Sequence, residues 1–514
     1  MAGTLVIRAD ASSSVGAGHV MRCLALAQAW QGHGGRTIWI GHCPIEALRR
    51  RIRAADAAFE PLERPHPDPA DVAATRASLS RIARESDAFE IIWLVLDGMH
   101  FDPPYQEAVR PAEGRMLVID DVAAWPQYHA DLLLNQNLGA ERYQYLCDDH
   151  ASFLLGPRYA LLRREFLPQE SWRRKPIELG PGRPARILVT LGGADPQNAT
   201  SLVLDGLQRL DLPWEARVVL GPASPQGKNP SGPVSKYGQK VQFLSDVRNM
   251  PEQMAWADVA VSAAGSTCWE MAFMELPAAV IVLADNQRVL AEPLAEAGTL
   301  VSLGPLAELT ADRVAAELGV ICRDAKRRFA MGETGRRLVD ARGAERVVAV
   351  MSALDDPLPD DKLQLRLATC DDLLPLWRLA NDASIRQSSL SPEPITLAEH
   401  TAWFRAKLAR EETAIWVFDF HGLILATVRY DRVDPQTAEV SLSVAPAFRR
   451  RGLGTKLLQR NLRLIRDRLG VKRLRAVVRQ ENVPSARIFA KTGFRQVDTA
   501  QVQGHACQVF EREF

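Results

Sequence analysis

Gly16-Ala17-Gly18-His19-Val20-Met21-Arg22-Cys23 is the stretch on which the fold turns. It follows a short apolar run, Leu5-Val6-Ile7, and a polar turn, Asp10-Ala11-Ser12-Ser13-Ser14. It opens a segment, Val20 to Trp30, in which Leu24, Ala27 and Trp30 recur at helical spacing. Strand, glycine turn and helix in that order place His19 at or near a helix N-terminus. Two glycines let the backbone approach a ligand closely, and the free N–H groups of the helix favour an anionic group there. The positive end of the helix dipole disfavours imidazolium, which suits His19 to accept a proton as a general base. A plain turn with His19 as a helix cap is the alternative that this stretch alone leaves open.

The chain has 514 residues, enough for about two to four domains. Lys+Arg 63 against Asp+Glu 62 gives no global charge that would seek nucleic acid or an anionic membrane. The longest strongly apolar run, Leu276 to Ala284, is too short to span a bilayer, and Met1 to Asp10 lacks the apolar core of a signal peptide. Cysteines 23, 43, 147, 268, 322, 370 and 507 form no CxxC pair, so neither a zinc site nor a disulfide framework is indicated. A cytoplasmic location, no metal, no nucleic acid and no membrane partner are the expectations. The oligomeric state stays open.

Outward from the opening stretch, short strands alternate with helical segments, which argues for a parallel α/β sheet. Thr4–Ala9, Thr37–Gly41, Ile91–Leu96, Met116–Asp120 and Leu132–Asn135 are the expected strands. Their ends carry Asp10, Asp97, Asp120-Asp121 and Asn135-Gln136-Asn137, which should converge with His19 on one crevice. Glu178 to Pro184 reads as a linker. A second α/β pattern begins at Arg186 and turns at Gly192-Gly193-Ala194-Asp195, with Asn198-Ala199-Thr200 starting a helix. It continues through Ala264-Gly265-Ser266-Thr267-Cys268-Trp269-Glu270, a small-residue turn shaped to receive a phosphate, with Glu270 able to accept from ribose hydroxyls. Asp285-Asn286-Gln287 ends the next strand on the same edge. Two such halves in tandem, each with a loop aimed at the interface, suit a nucleotide sugar held between them.

Here a resemblance becomes specific. Residues 1 to about 348 resemble the nucleotide-sugar hydrolases of pseudaminic acid biosynthesis. It rests on Arg8-x-Asp10, Gly16-x-Gly18-His19-x-x-Arg22, Asp120-Asp121, Asp131-Leu-Leu-Leu-Asn135-Gln136-Asn137 and Gly156-Pro-x-Tyr159-Ala-Leu-Leu-Arg163-x-Glu165-Phe166. It continues through Gly192-Gly193, Gly265-Ser266-Thr267-x-x-Glu270 and Asn286-Gln287. The GxGH turn is shared with glycosyltransferases of the same fold, whereas the Asn-Gln-Asn and GPxYALLRxEF segments favour the hydrolase. The resemblance implies two Rossmann-like domains in a glycosyltransferase-B arrangement, residues 1–178 and 185–350. It implies release of UDP from UDP-2,4-diacetamido-2,4,6-trideoxy-β-L-altropyranose, with His19 as the base that activates water. Asp10, Gly16, Gly18, Arg22, Asn135, Asn137, Tyr159, Arg163, Gly193, Gly265, Ser266, Thr267, Glu270, Asn286 and Gln287 are the substrate-binding residues carried over.

Residues 351–362, rich in proline and acid from Asp355 onward, read as a second linker. Beyond it, strands Ala414–Phe420, Leu423–Tyr430 and Ala438–Val444 suggest an antiparallel meander, followed by Arg449-Arg450-Arg451-Gly452-Leu453-Gly454 at the head of a helix. Residues 363–514 resemble the GCN5-related N-acetyltransferases, an α+β fold. The resemblance rests on Arg449-x-x-Gly452-x-Gly454 and on Asn482-x-x-Ser485-Ala486-x-x-Phe489-x-Lys491-x-Gly493-Phe494. It implies acetyl-CoA as co-substrate, held by Val444, Arg449, Gly452, Gly454, Asn482 and Ser485. Phe489 departs from the tyrosine that many members use as the acid toward the CoA thiolate. Glu439 is a candidate base or simply an exposed strand carboxylate. The whole chain is thus expected to be bifunctional: N4-acetylation of a UDP-4-amino sugar, then hydrolysis of the product. The alternative is a UDP-sugar transferase carrying a CoA-binding, non-catalytic tail.

Overall fold

Leu5, Val6 and Ile7 are fully buried in β1 (Thr4–Ala9), the strand that feeds the glycine turn. The computed structural model describes residues 3–12, 15–86, 90–180, 182–193, 195, 197–221 and 240–514. Ser13, Ser14, Pro181 and Ala194, quoted above in turns and a linker, lie outside the described residues. The chain forms two units, Met1–Asp148 with Phe153–Val348 and Asp149–Ser152 with Ala349–Phe514.

The first unit holds two sheets. With β1 go β2 (Arg36–Gly41), β3 (Ala57–Pro61), β4 (Ile92–Asp97), β5 (Arg115–Ile119), β6 (Leu132–Asn135) and β7 (Ser152–Leu155), in the order β3-β2-β1-β4-β5-β6-β7. β1 and β4 are buried along their whole length and pair in parallel, as strands covered on both faces do. The chain steps outward to β2 and β3, then returns to lay β4 on the other side of β1. That reversal opens a crevice at the carboxyl ends of β1 and β4, where His19 and Asp97 stand. β3 and β7 were not expected. Ala57-Ala-Phe-Glu-Pro61 lies at the sheet edge with most positions partly exposed, and it lacks the apolar run that marks a central strand.

The second sheet comprises β8 (Ala185–Thr190), β9 (Trp214–Val219), β10 (Val241–Leu244), β11 (Val259–Ala263), β12 (Ala278–Val282) and β13 (Leu300–Pro305). Its order is β10-β9-β8-β11-β12-β13, all parallel, and it reverses between β8 and β11. The turns at Gly192-Gly193 and Gly265-Ser266 therefore stand at the second reversal.

The second unit is built on β14 (Gln364–Leu367), β15 (Thr413–Phe420), β16 (Leu423–Arg432), β17 (Thr437–Val444), β18 (Arg473–Arg479), β19 (Arg495–Val502) and β20 (His505–Glu513). The order is β14-β15-β16-β17-β18-β20-β19, and the pairs are antiparallel except β17 with β18. Those two pair only from Thr437↔Arg473 to Glu439↔Arg475, and β17 then runs on to Val444 without β18. The result is a wedge open at the end where the arginine–glycine turn lies. Residues 351–362 are part helix, because the Gly343–Asp355 helix continues into them, burying Met351, Ala353 and Leu354. Among the described residues no helix is long and apolar enough to cross a membrane.

Candidate functional site

A cleft of about 310 Å³ lies between the two sheets of the first unit, within the range of small-molecule sites. Gly16, Gly18, His19, Arg22, Asn137, Arg163, Gly193, Gly265, Ser266, Thr267, Glu270, Asn286 and Gln287 all line it. Three of the expected residues do not. Asp10 is buried behind the wall, accepting from Arg8 and from the backbone N–H of His42 (2.7 Å) and His66 (3.1 Å). Burial opposes its charge, but His100 and Arg8 outweigh that and hold the carboxyl well below the usual carboxylate range. Asn135 donates to Tyr145 Oη (2.8 Å) and accepts from the Asn137 N–H (2.9 Å). Tyr159 is buried where its backbone and that of Ala160 close on Gly343. These three brace the strand ends rather than face a ligand.

His19 is the second residue of the Gly18–Gly32 helix, reached through Gly16 in the left-handed region (φ 82°). Its Nδ1 lies 2.7 Å from Asp97 Oδ1 at the end of β4. Arg22, one turn on, grips the same carboxylate through Nε (2.7 Å) and Nη2 (2.6 Å) and reaches Asp121 through Nη1 (2.8 Å). Burial works against the charge of Asp97, but Arg22 and His19 overcome it, so its carboxyl sits well below the usual range. An ionised Asp97 can only accept, so His19 carries its proton on Nδ1 and leaves Nε2 as the basic atom. Arg22, expected to bind substrate, is instead spent on two carboxylates. Asn137 donates through Nδ2 to the Asp121 carbonyl (3.1 Å), and its buried Oδ1 has no partner among the described residues.

From the second half, Gly193 makes the close approach. A Cβ there would stand 2.9 Å from Ala17 N and 3.0 Å from Ala17 Cβ, so only glycine lets the two turns meet. The neighbouring Ala199–Gln208 helix offers no anion site, because Asp195 accepts from the N–H of Ala199 (2.7 Å) and Thr200 (3.0 Å). Gly265 faces open space, and Glu270 pairs with Arg163 (2.8 Å). Asn286 reaches Met99 Sδ (3.7 Å), while Gln287 Oε1 accepts from Leu283 N–H (2.9 Å) and so holds its own turn.

In the second unit, Gly452 (φ 77°) opens the Leu453–Leu469 helix at the mouth of the wedge. Arg449 Nε donates to the Val444 carbonyl (3.2 Å). A Cβ on Gly454 would lie 2.8 Å from Ile488 Cδ1, so glycine lets this helix seat closely. Arg451 points away and donates to the carbonyls of Ala353, Leu354 and Asp356. Asn482 Oδ1 accepts from the Ser485 N–H (3.2 Å), which caps the Val483–Lys491 helix. Phe489 is buried against Phe494 and Phe510, and Glu439 is exposed on β17.

Residues 186–346 match the glycosyltransferase family 28 C-terminal domain, and residues 362–495 match the acetyltransferase (GNAT) domain. The chain is 21% identical over 416 residues to "Uncharacterized protein MJ1062" of Methanocaldococcus jannaschii, covering 78% of this chain and 81% of that protein. It is 27% identical over 231 residues to the spore coat polysaccharide biosynthesis protein SpsG of Bacillus subtilis, covering 44% of this chain and 66% of that protein. It is also 31% identical over 141 residues to "Putative phosphinothricin acetyltransferase YwnH" of the same organism, covering 26% of this chain and 85% of that protein. Through residues 362–495 the chain belongs to the GNAT acetyltransferases, joined on one polypeptide to two α/β sheets, the second of which matches the glycosyltransferase family 28 C-terminal domain.

Proposed function

We propose that residues 1–178 and 185–350 form a nucleotide-sugar hydrolase and that residues 363–514 form the acetyltransferase that prepares its substrate. The substrate of the first is UDP-2,4-diacetamido-2,4,6-trideoxy-β-L-altropyranose, and that of the second is the corresponding UDP-4-amino sugar. One observation carries the reading of the first unit: His19, held by Asp97 at a strand reversal, lines the same cleft as the Gly265-Ser266-Thr267 turn of the opposite sheet. His19 Nε2 takes a proton from water as its oxygen attacks the anomeric carbon. The bond from that carbon to the diphosphate oxygen breaks, and UDP leaves with the bonding pair. General-base assistance of this kind is worth about 10² to 10⁴ in rate.

Acetyl-CoA, when bound, supplies the acetyl thioester. The second unit suits it in two respects. Beyond Glu439 the edge of β17 facing β18 is free of strand pairing, and an extended amide chain fits there. The left-handed Gly452 and the N-terminus of the 17-residue helix behind it suit a diphosphate, with Arg449 alongside.

The match of residues 186–346 to a glycosyltransferase domain favours a second reading, in which the first unit passes its sugar to an acceptor other than water. One experiment separates the two. Full-length protein is given the UDP-4-amino sugar with and without acetyl-CoA, and free CoA and free UDP are followed independently. The proposal expects CoA release first and UDP release only when acetyl-CoA is present, with His19→Ala abolishing UDP release and sparing CoA release. UDP release that needs an added acceptor establishes the transferase reading, and absence of CoA release removes the acetylation step.

A further inference from the structure

Arg163 and Glu270 were both expected to bind substrate, yet the structure joins them to each other. Arg163 comes from the segment that follows β7, at the end of the first half, while Glu270 lies on the Thr267–Phe273 helix of the second half. Arg163 Nη2 donates to Glu270 Oε1 at 2.8 Å, and Glu270 Oε2 has no hydrogen bond among the described residues. Glu165 Oε1 stands 3.2 Å from the same nitrogen, at ion-pair distance but without hydrogen-bond alignment. The Arg163 side chain is only 6% exposed, so the guanidinium neutralises two carboxylates in a nearly dry corner of the cleft.

The corner is rigid. The Leu161 N–H is held by Gln136 Oε1 (2.9 Å) and the Arg164 N–H by Gln28 Oε1 (2.9 Å). Phe166, under the guanidinium, packs edge-on against Phe273 of the helix that carries Glu270. Leu162, Phe166, Trp269 and Phe273 share one buried cluster. Arg163 is thereby fixed relative to Glu270 rather than free to follow a ligand. Burial holds the Glu165 carboxyl above its usual range, Arg163 opposes this, and the charge of Glu270 adds to it. Two carboxylates share the corner because Arg163 lies between them.

We infer that Arg163 is a positioning residue: by holding Glu270 Oε1 from across the cleft it aims Oε2 at the ribose hydroxyls of the bound nucleotide, so ribose recognition requires both halves of the unit. This rests on the nucleotide-sugar reading above. A fixed acceptor discriminates against a ligand lacking the hydroxyl it was built for, whereas a mobile, solvated carboxylate discriminates little.

The test is the affinity of the full-length protein for UDP, 2′-deoxy-UDP and 3′-deoxy-UDP, by calorimetry. Wild type is expected to prefer UDP over at least one deoxy analogue by about tenfold or more. Arg163→Ala is expected to weaken UDP by about tenfold and to leave that deoxy analogue nearly unchanged, so the preference collapses. Glu270→Gln is expected to collapse it as well, and Arg163→Lys to restore part of it. Equal weakening of all three ligands by Arg163→Ala, or no change in any, overturns the inference; a thermal melt identifies a variant that fails to fold, and Arg163→Lys then decides the matter. Preference retained in Glu270→Gln overturns the ribose role of Glu270. Wild type that binds no UDP overturns the nucleotide-sugar reading itself, so the failures are distinct.

Discussion

Each sheet of the first unit opens with the same local pattern: strand, glycine turn, helix. After β1 the turn is Gly16-Ala17-Gly18, and the helix presents His19 to the cleft with its imidazole held by Asp97 of a neighbouring strand. After β8 the turn is Gly192-Gly193, and the helix N-terminus is closed by Asp195 from its own turn. One carboxylate arrives from a distant strand and holds the imidazole of the proposed base. The other comes from four residues away and ends a helix. The pattern therefore locates a turn at a strand end, and the source of the carboxylate decides whether the helix start is chemistry or architecture.

Removing the proposed base, His19, gives the largest expected effect. His19→Ala should lower the rate of UDP release by about 10³, with UDP affinity within a few-fold of wild type, because the turn itself survives. Release at more than a tenth of the wild-type rate would place the base elsewhere. Asp97→Asn comes next, at about 10² in the rate constant, because an amide no longer obliges the proton to stay on His19 Nδ1. Its acid dependence follows from the depressed carboxyl of Asp97. A group whose pKa is lowered by folding stabilises the protein above its unfolded value, and that contribution fades as pH falls below it. The stability gap between wild type and Asp97→Asn should be constant above about pH 5 and narrow below about pH 4, in denaturant melts taken across that range. A gap that widens with acid would show that Asp97 is not ionised in the fold.

Much of this comparison was legible in the sequence and one part was not. β1 and β6 have the expected bounds, because each is an apolar run closed by polar residues, Asp10 after β1 and Gln136 after β6. β3 escaped notice because it shows the core only part of one face. The GxGH turn pointed to His19 and the strand ends put Asp97 on the same crevice, but the sequence did not show that Asp97, 78 residues away, touches the imidazole. Its contact depends on β4 lying beside β1, which strand order in the sequence does not reveal. Asp10, Asn135 and Tyr159 illustrate the opposite error. They belong to recognisable motifs, yet each is buried behind the cleft, so a motif can mark the support of a site as readily as its surface.

Gly193 tests whether the two turns must touch. Its φ is not in the left-handed region, so a substitution there is opposed by space and not by backbone conformation. The Cβ of Gly193→Ala would press on Ala17, whose backbone cannot give way without moving the start of the His19 helix. A shift of under an ångström at a catalytic group costs about 10- to 100-fold. UDP release should fall by that factor while the melting temperature changes little. By contrast Gly32→Ala, at the other end of the same helix and outside the cleft, where a Cβ meets nothing within 4 Å, should stay within a few-fold of wild type.

Asp195→Ala makes the second turn more like the first, and it should do the least. The substitution removes the acceptor for two N–H groups at the start of the Ala199–Gln208 helix. Loss of such a cap costs about 1 kcal/mol, which in a unit of this size lowers the melting temperature by about 2 °C. It also leaves amides exposed at the positive end of a helix dipole, the arrangement that elsewhere attracts phosphate. If that helix start took part in diphosphate binding, UDP affinity would change when its carboxylate is removed. Ala199 and Thr200 do not line the cleft, whereas the Gly265-Ser266-Thr267 turn does. The expected result is a small loss of stability with UDP affinity unchanged within about twofold, as two N–H groups outside the cleft should give. A tightening of tenfold or more would move the diphosphate to this helix and make the two turns equivalent after all.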